Sequence, residues 1–329
     1  MGVMSQFGND LYSGKVSFPF VGRRRLWFII ATVLVIASAL VPLIRPVQFS
    51  IEFTGGSQFT VSGIHQPDQS KATDAVISVV SGATTKVTTV GSDGVRVQTD
   101  QMTPDQTQAV RAALAKTYNV DVNEVTASFI GPSWGADVTR QSLWGLAIFL
   151  ALTFLILALY FRTWKMSAAS IIGLVDVLVI TIGVYAAAGF EISPAAVIGF
   201  LTILAYSLYD TTVVFDKVRE NTHAESDHAS RTFAESVNLA VNQTLVRSIN
   251  TTIVAVLPVG AILFIGAIWL GAETLSDISL SIFVGIIVAA YSTLFVAAPL
   301  YSLFRENEPA LKAHDAKVRK ARAQAALAA

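Results

Sequence analysis

Six apolar segments dominate the hydrophobic pattern of this chain, and each is long enough to cross a lipid bilayer as a helix. A transmembrane helix needs about 20 consecutive, mostly apolar residues, because it rises about 1.5 Å per residue through a hydrocarbon core about 30 Å thick. The segments cover residues 26–44, 142–161, 166–190, 194–216, 244–269 and 277–304. The pattern therefore predicts a polytopic α-helical membrane protein with six transmembrane helices.

Residues 45–135 are the one long stretch without a spanning segment, and their pattern is that of a small folded domain. Apolar and polar residues alternate over residues 47–53 and again over 59–61, as they do in β-strands. Residues 68–81 have helical spacing, and Thr103-Pro104 favours the start of a second helix. Glycines at both ends of residues 91–94 predict a hairpin. We therefore expect an α/β domain of about 80 residues between the first two transmembrane helices.

The basic residues predict which side of the membrane each loop occupies. Arg23-Arg24-Arg25 precede the first apolar segment, Arg162 and Lys165 lie in the short loop after the second, and residues 305–329 are rich in lysine and arginine. Cytoplasmic loops carry an excess of such residues. We therefore expect the segment 1–25, the loop 217–243 and the tail 305–329 in the cytoplasm, and the α/β domain outside.

Two features near the chain ends have alternative interpretations. Ala37-Ser38-Ala39 behind a basic segment resembles a signal-peptide cleavage site, but the apolar run continues past Ala39. The basic tail is typical either of a plain solvated helix or of a segment near anionic lipid or the ribosome.

Composition narrows the function classes. Hydrophobic residues make up 53% of the chain and charged residues only 14%, with a mean hydropathy of +0.58, which indicates a membrane protein. The net charge is zero, which argues against nucleic-acid binding. There are no cysteines, and no two of the four histidines have the helical spacing of metal ligands. We find no catalytic constellation, so we expect a protein that is not an enzyme and that needs no metal or cofactor.

Three charged residues inside the predicted helices are the candidates for function. Asp176, Asp210 and Arg247 lie within or just inside apolar segments, where a charge costs several kcal/mol unless it is neutralised, paired or hydrated. Asp210 lies about 24 Å along its helix from the outer end, and Arg247 near the inner end of the next helix, so both should reach similar depth. Such residues commonly carry an ion, here H⁺ or Na⁺. The alternatives are a static buried pair that fixes helix packing, and snorkelling of Arg247 to the interface.

Residues 206–221, Tyr-Ser-Leu-Tyr-Asp-Thr-Thr-Val-Val-Phe-Asp-Lys-Val-Arg-Glu-Asn, resemble the fourth transmembrane helix of the SecF family without a gap. One departure is Tyr209, which stands where that family commonly has asparagine. Residues 244–252 resemble the family's fifth helix, in which the arginine and the intramembrane aspartate are functionally coupled. Val175-Asp176 stands where the family often has His-Asp, which leaves the role of Asp176 less well defined.

Two glycine clusters flank the α/β domain. Residues 52–57 resemble the Asp-Phe-Thr-Gly-Gly element shared by SecD and SecF, and residues 130–135 resemble the family's Val-Gly-Pro-x-x-Gly. Glycine permits unusual backbone angles and close approach, while proline stiffens the chain. We therefore expect hinges at the two chain crossings of a mobile domain; ordinary turns are the alternative. The hinge residues are Gly55, Gly56, Gly131, Pro132 and Gly135.

The resemblance covers nearly the whole chain and implies a function. It implies a subunit of the bacterial cytoplasmic membrane that pairs with SecD and assists the Sec translocon, SecYEG with SecA, in exporting unfolded polypeptides. The proton motive force would act through Asp210 and Arg247. One span, an outer domain and five spans also make half of the resistance-nodulation-division plan. A small-molecule or lipid exporter of that superfamily and a passive translocon scaffold are the alternatives.

Overall fold

The computed structural model of the protein describes residues 3–64, 67–90, 93–222, 231–269 and 273–328. Within these ranges, six helices are long and apolar enough to cross a membrane, and a small α/β domain lies between the first and the second. The predicted fold class is confirmed. The six spans are Arg24–Ile44, Ser133–Phe161, Trp164–Ala188, Pro194–Asn221, Phe233–Ile265 and Asp277–Arg305.

The described elements follow one another with short connections. The helices are α1 (Val3–Tyr12), α2 (Arg24–Ile44), α3 (Ile51–Thr54), α4 (Gln69–Val79), α5 (Pro104–Tyr118), α6 (Pro132–Phe161), α7 (Trp164–Ala188), α8 (Pro194–Asn221), α9 (Phe233–Ala261), α10 (Glu273–Ser292), α11 (Ala298–Arg305) and α12 (Pro309–Ala328). The strands are β1 (Gln48–Phe49), β2 (Gly56–Val61), β3 (Thr85–Val90), β4 (Gly94–Thr99), β5 (Val125–Ile130) and β6 (Glu191–Ile192). Two π-helical segments, Ile262–Trp269 and Thr293–Ala297, follow α9 and α10.

Several helices extend beyond the predicted apolar segments. Helix α6 begins at Pro132 rather than at residue 142, and α8 continues to Asn221. Helix α9 begins at Phe233, inside the predicted loop 217–243, where Thr232 and Glu235 form a reciprocal capping box. The bounds differ because hydropathy identifies only the part of a helix that is apolar enough to lie in lipid. The ends of the helix itself are determined by capping residues beyond that part. Residues 223–230 of that loop and the hairpin tip, residues 91–92, lie outside the described residues.

The α/β domain is an antiparallel sheet with strand order β3-β4-β2-β5. Phe59 pairs with Val97 across β2 and β4, and both side chains are fully buried among Val76, Val110 and Leu114 of the helices α4 and α5. The strand periodicity over 47–53 is only partly confirmed. Residues 51–54 form the single turn α3, closed by a hydrogen bond from the Gly55 N–H to the Ile51 carbonyl.

The other face of the sheet lies against the turn between α7 and α8. The carboxylate of Glu191 in β6 accepts hydrogen bonds from Lys86 and from Gln98 Nε2 at 2.9 Å, and it pairs with Arg96 at 3.4 Å. Burial lowers the pKa of Arg96 from its usual value, and the negative charge of Glu191 opposes that effect. Strand β6 also pairs with β1, so the residues just before α8 contact the α/β domain and the segment that leads into it.

Helix α8 packs closely against α10. A Cβ built on Gly285 of α10 would lie 2.4 Å from Ile203 Cγ1, so only glycine permits this distance between the helices. Near the α/β domain, Ser193 Oγ donates to Asp277 Oδ2 at 2.6 Å, which joins the starts of the two spans. Helix α8 therefore connects the docking point of the α/β domain to the opposite part of the helix bundle.

Candidate functional site

Asp210 lies on α8 and is buried, with 8% of its surface exposed. Its Oδ2 accepts a hydrogen bond of 2.6 Å from Ser248 Oγ of α9, and Ser248 is buried as well. A serine hydroxyl can donate to a carboxylate or accept from a neutral carboxyl. The contact therefore leaves both protonation states of Asp210 accessible.

Arg247 adopts a different contact from the one that the sequence suggests. Its Nη2 donates to the hydroxyl of Tyr209 at 3.0 Å, and within the described part of the chain no ion pair joins Arg247 to Asp210. The two helices thus make paired contacts in one register, Tyr209 with Arg247 and Asp210 with Ser248. The expectation that Asp210 and Arg247 reach similar depth is confirmed, because each contacts the neighbour of the other.

A cleft of about 560 Å³ extends along α8 and α9 past Arg247. Tyr209 and Arg247 line it together with the polar ends of the two helices away from the α/β domain, among them Asp216, Lys217 and Gln243. Both Tyr209 and Arg247 are exposed, with 56% of the tyrosine surface accessible. The guanidinium therefore has a polar route to the membrane surface, as the snorkelling alternative requires.

Asp176 lies on α7 and is even less exposed than Asp210, at 6%. Its Oδ2 has no hydrogen-bond partner among the residues that the structure describes, and Ser292 of α10 lies against the same carboxyl. The hydroxyl of Tyr291 is buried without a described partner too. A buried polar atom costs about 1–3 kcal/mol when it is left unbonded. Asp176 is therefore a second place in the spans where a proton or a water molecule relieves a free-energy cost.

The Ser292–Thr293 turn connects the surroundings of the two carboxyls. Ser292 Oγ donates to the Gly173 carbonyl of α7 at 3.0 Å, and Thr293 Oγ1 lies 2.9 Å from Thr211 Oγ1, next to Asp210 in sequence. The π-helical segment Thr293–Ala297 begins at this point. Such segments often occur at functional sites, because they shift the register of the helix that follows.

The structure brings the two glycine clusters together. A Cβ built on Gly135 would lie 2.5 Å from the Phe53 carbonyl oxygen and 3.2 Å from the Gly55 amide nitrogen. Gly56 has φ +129°, and its Cβ would lie 2.4 Å from the Thr99 carbonyl oxygen. Gly131 and Pro132 start α6 as N-cap and first residue. Close approach therefore explains Gly135 and Gly56, and the hinge hypothesis stays a prediction.

Gly135→Ala is expected to destabilise the protein by about 1–3 kcal/mol, because the new methyl group overlaps the backbone of α3. Gly131→Ala is the matched control, since its Cβ would meet only Ser133 Oγ at 4.0 Å. The measurement is thermal unfolding of the full chain in detergent together with secretion in cells. Equal effects of the two substitutions would contradict the close-packing explanation, and loss of secretion by Gly131→Ala without loss of stability would favour a hinge.

Sequence reasoning found the three membrane charges and singled out Tyr209, but it missed Ser248 as the partner of Asp210. Ser248 directly follows Arg247, so only the rotation of α9 decides which of the two faces Asp210, and no sequence pattern fixes that rotation. Glu191, in the turn between α7 and α8, is not among the residues that the sequence analysis singles out. An acidic residue there, opposite two cations on the solvent face of a predicted hairpin, was the available signal.

Comparisons with known proteins agree on one family. Residues 109–307 match the family model described as protein export membrane protein SecD/SecF, C-terminal. The protein translocase subunit SecF of Streptomyces coelicolor is 39% identical over 326 residues, which cover 99% of this chain and 87% of that protein. The protein translocase subunit SecDF of Thermus thermophilus is 29% identical and is covered to 40% of its length. The crystal structure of a SecDF from the same species, a translocon-associated membrane protein, superimposes with a TM-score of 0.78 at 28% identity, over 89% of this chain and 39% of that chain.

Proposed function

Because the chain belongs to the SecF family of protein translocase subunits, we propose that it uses the proton motive force, through Asp210, to assist export by the Sec translocon. The observation that carries this proposal is the buried carboxyl of Asp210 between Ser248 and the Tyr209–Arg247 contact. Gradient-driven export by vesicles that carry the chain or its Asp210→Asn variant tests it.

The coupling step is an exchange of partners between α8 and α9. While Asp210 is protonated, Ser248 satisfies it and Arg247 stays on Tyr209, as in the structure. Loss of the proton leaves a carboxylate in the membrane, and the adjacent guanidinium is the one cation in the described residues close enough to pair with it after a side-chain movement. One charge that moves through 100 mV supplies about 2.3 kcal/mol, enough to shift two helices between two arrangements.

Asp176, on α7, belongs to the same proposed proton pathway, and α10 contacts the surroundings of both Asp176 and Asp210. The Ser292–Thr293 turn touches the surroundings of both carboxyls, so a change of protonation at either one alters the packing of the same turn. The transported ion is H⁺ in this proposal; Na⁺ is the alternative. No other cofactor is part of it, and the chain acts as a transport subunit rather than as an enzyme.

Helix α8 carries the effect to the outer domain. From Pro194 to Asp210 the helix measures about 24 Å at 1.5 Å per residue. Glu191, just before that helix, holds the sheet of the outer domain through Lys86, Arg96 and Gln98. A displacement of α8 at Asp210 therefore moves the docking point of the domain, which we propose contacts the exported, unfolded polypeptide.

The partner is SecD, bound to the exposed side of α9. Arg247, Asn250, Val254 and Leu257 lie along one side of that helix and are exposed, Leu257 by 66%. An arginine and an asparagine that faced lipid would be costly, whereas a second membrane protein can satisfy them. SecDF of Thermus thermophilus, of which this chain covers 40%, supports a partner that supplies the remaining part.

SecYEG and SecA complete the proposed assembly, which lies in the bacterial cytoplasmic membrane. The chain's membership of a translocase family sets aside the small-molecule or lipid exporter. The passive translocon scaffold is the remaining alternative, and it predicts that the membrane carboxyls can be neutralised without loss of export.

The proposed orientation places both termini in the cytoplasm and the α/β domain outside. The chain has no cysteine, so single substitutions provide clean labelling sites. Exposed Gln101→Cys is expected to react in intact cells with a maleimide that does not cross membranes, and exposed Ala313→Cys only after the cells are opened. Labelling of Ala313→Cys in intact cells would reverse the assigned orientation.

A further inference from the structure

A second cleft, of about 850 Å³, lies at the end of the membrane domain away from the α/β domain. It lies between the segment before α2, the start of α9 and the helix α12. Binding clefts for small ligands commonly measure about 300–1,000 Å³. The proposed export pathway uses none of its residues.

The cleft contains more positive charge than its own acids neutralise. Arg322 holds Glu235 through two hydrogen bonds of 2.7 and 2.8 Å, and Arg24 pairs with Glu306 at 2.6 Å. The remaining acid of the lining, Asp315, accepts a hydrogen bond of 2.9 Å from the backbone N–H of Phe233.

Three exposed cations of the lining, Arg231, Lys312 and Arg319, form no ion pair with any residue in the described ranges. These three cations share the cleft with one further carboxylate, that of Asp315, which already accepts a hydrogen bond from the first turn of α9. This excess attracts an anion, and guanidinium and ammonium groups from separate elements are suited to a phosphate group.

The position of the cleft indicates where the phosphate comes from. Three spans begin or end beside it, at Arg24, Phe233 and Arg305, so it lies at the membrane interface. Helix α2 continues from Arg24 with apolar side chains that nothing in the described chain covers, such as Ile29, which is 62% exposed. A phosphate that carries acyl chains gains from both surfaces, while free phosphate gains only from the cations.

We propose that this cleft binds the headgroup of one anionic phospholipid, with the acyl chains along α2. The lipid joins α12 to the inner ends of α2 and α9. The basic tail then contributes to one defined lipid-binding site, instead of attracting anionic lipids nonspecifically through its overall charge.

The test is native mass spectrometry of the full chain, purified in detergent, with phosphatidylglycerol or phosphatidylcholine added. The unmodified chain is expected to retain one phosphatidylglycerol, and Lys312→Gln with Arg319→Gln to lower that retention about tenfold or more, since each interfacial cation contributes about 1 kcal/mol. The control is Lys317→Gln with Lys320→Gln, which removes two exposed cations of the same helix outside the cleft and is expected to keep the lipid.

Four results would overturn the proposal. Equal loss in the control pair would mean diffuse attraction, and equal retention of phosphatidylcholine would mean binding through the acyl chains alone. Displacement by millimolar inorganic phosphate would mean a free-phosphate site. Loss of ribosome binding in the cleft pair, with unchanged phosphatidylglycerol retention, would also replace the lipid by the ribosome. Unchanged melting temperatures in all variants make each result interpretable.

Discussion

Asp210→Asn is expected to abolish the part of protein export that depends on the membrane gradient, while export that does not depend on the gradient continues. The amide keeps the size of the side chain and an acceptor for Ser248 Oγ, but it cannot release or bind a proton. Folding should survive, because a neutral amide is cheaper to bury than a carboxylate. The measurement is export into inverted vesicles with and without an imposed gradient, alongside thermal unfolding of the purified chain.

Glu220→Gln is the matched control for this variant. It removes a carboxylate from the polar end of the same helix, where Glu220 makes an exposed contact with Lys217. Such surface pairs contribute only about 0–1 kcal/mol, so export and stability should both be nearly unchanged. Full gradient-dependent export by Asp210→Asn would make Asp210 a packing residue and would favour the passive scaffold.

Arg247→Met is expected to impair gradient-driven export about as severely as Asp210→Asn, because the deprotonated carboxyl loses the one cationic partner within reach among the described residues. Arg247→Lys keeps a charge but not the fork of donors, so part of the activity should remain. Tyr209→Phe removes the hydroxyl that accepts the hydrogen bond from the guanidinium of Arg247. It is therefore the matched variant for the Tyr209–Arg247 contact.

Double-mutant cycles on thermal stability separate the exchange of partners from a static pair. The Tyr209–Arg247 cycle should show a coupling of about 0.5–1 kcal/mol, because these groups bond in the structure. The Asp210–Arg247 cycle should be additive within about 0.5 kcal/mol in stability, although both residues are needed for export. A static buried pair predicts the opposite: each single variant leaves a buried charge, and the double variant regains the lost stability.

The membrane part of the fold follows from the sequence because a bilayer leaves few choices. Every backbone polar group must be satisfied inside the hydrocarbon core, so a long apolar run has to form a helix. The strands and helices of the α/β domain could be predicted for a similar reason, since Phe59 and Val97 lie on one buried face and alternate with polar neighbours along their strands. Residues 51–53 were predicted wrongly, because periodicity over a few residues cannot distinguish a short strand from one helical turn.

The sequence predicts the site as far as the site depends on the free-energy cost of placing a charge within a membrane span. The sequence reveals Asp176, Asp210 and Arg247 because a charge within a span is costly in free energy and is therefore rare outside functional sites. Their partners depend on helix rotation, which packing sets through contacts such as Gly285 against Ile203. A rotation of one residue in α9 would place Arg247 on Asp210 in place of Ser248. The sequence therefore shows that a charge lies within a span, whereas the packing of the helices decides which residues that charge contacts.

Proton flux tests the central claim most directly. The chain and the proposed partner SecD are reconstituted together in sodium-free vesicles that contain a pH-sensitive dye, and a pH gradient is imposed in the presence of an exported polypeptide. The account predicts a proton flux with the unmodified chain that Asp210→Asn abolishes and Glu220→Gln preserves. Equal flux in all three preparations, or a flux that requires added sodium, would contradict proton coupling through Asp210.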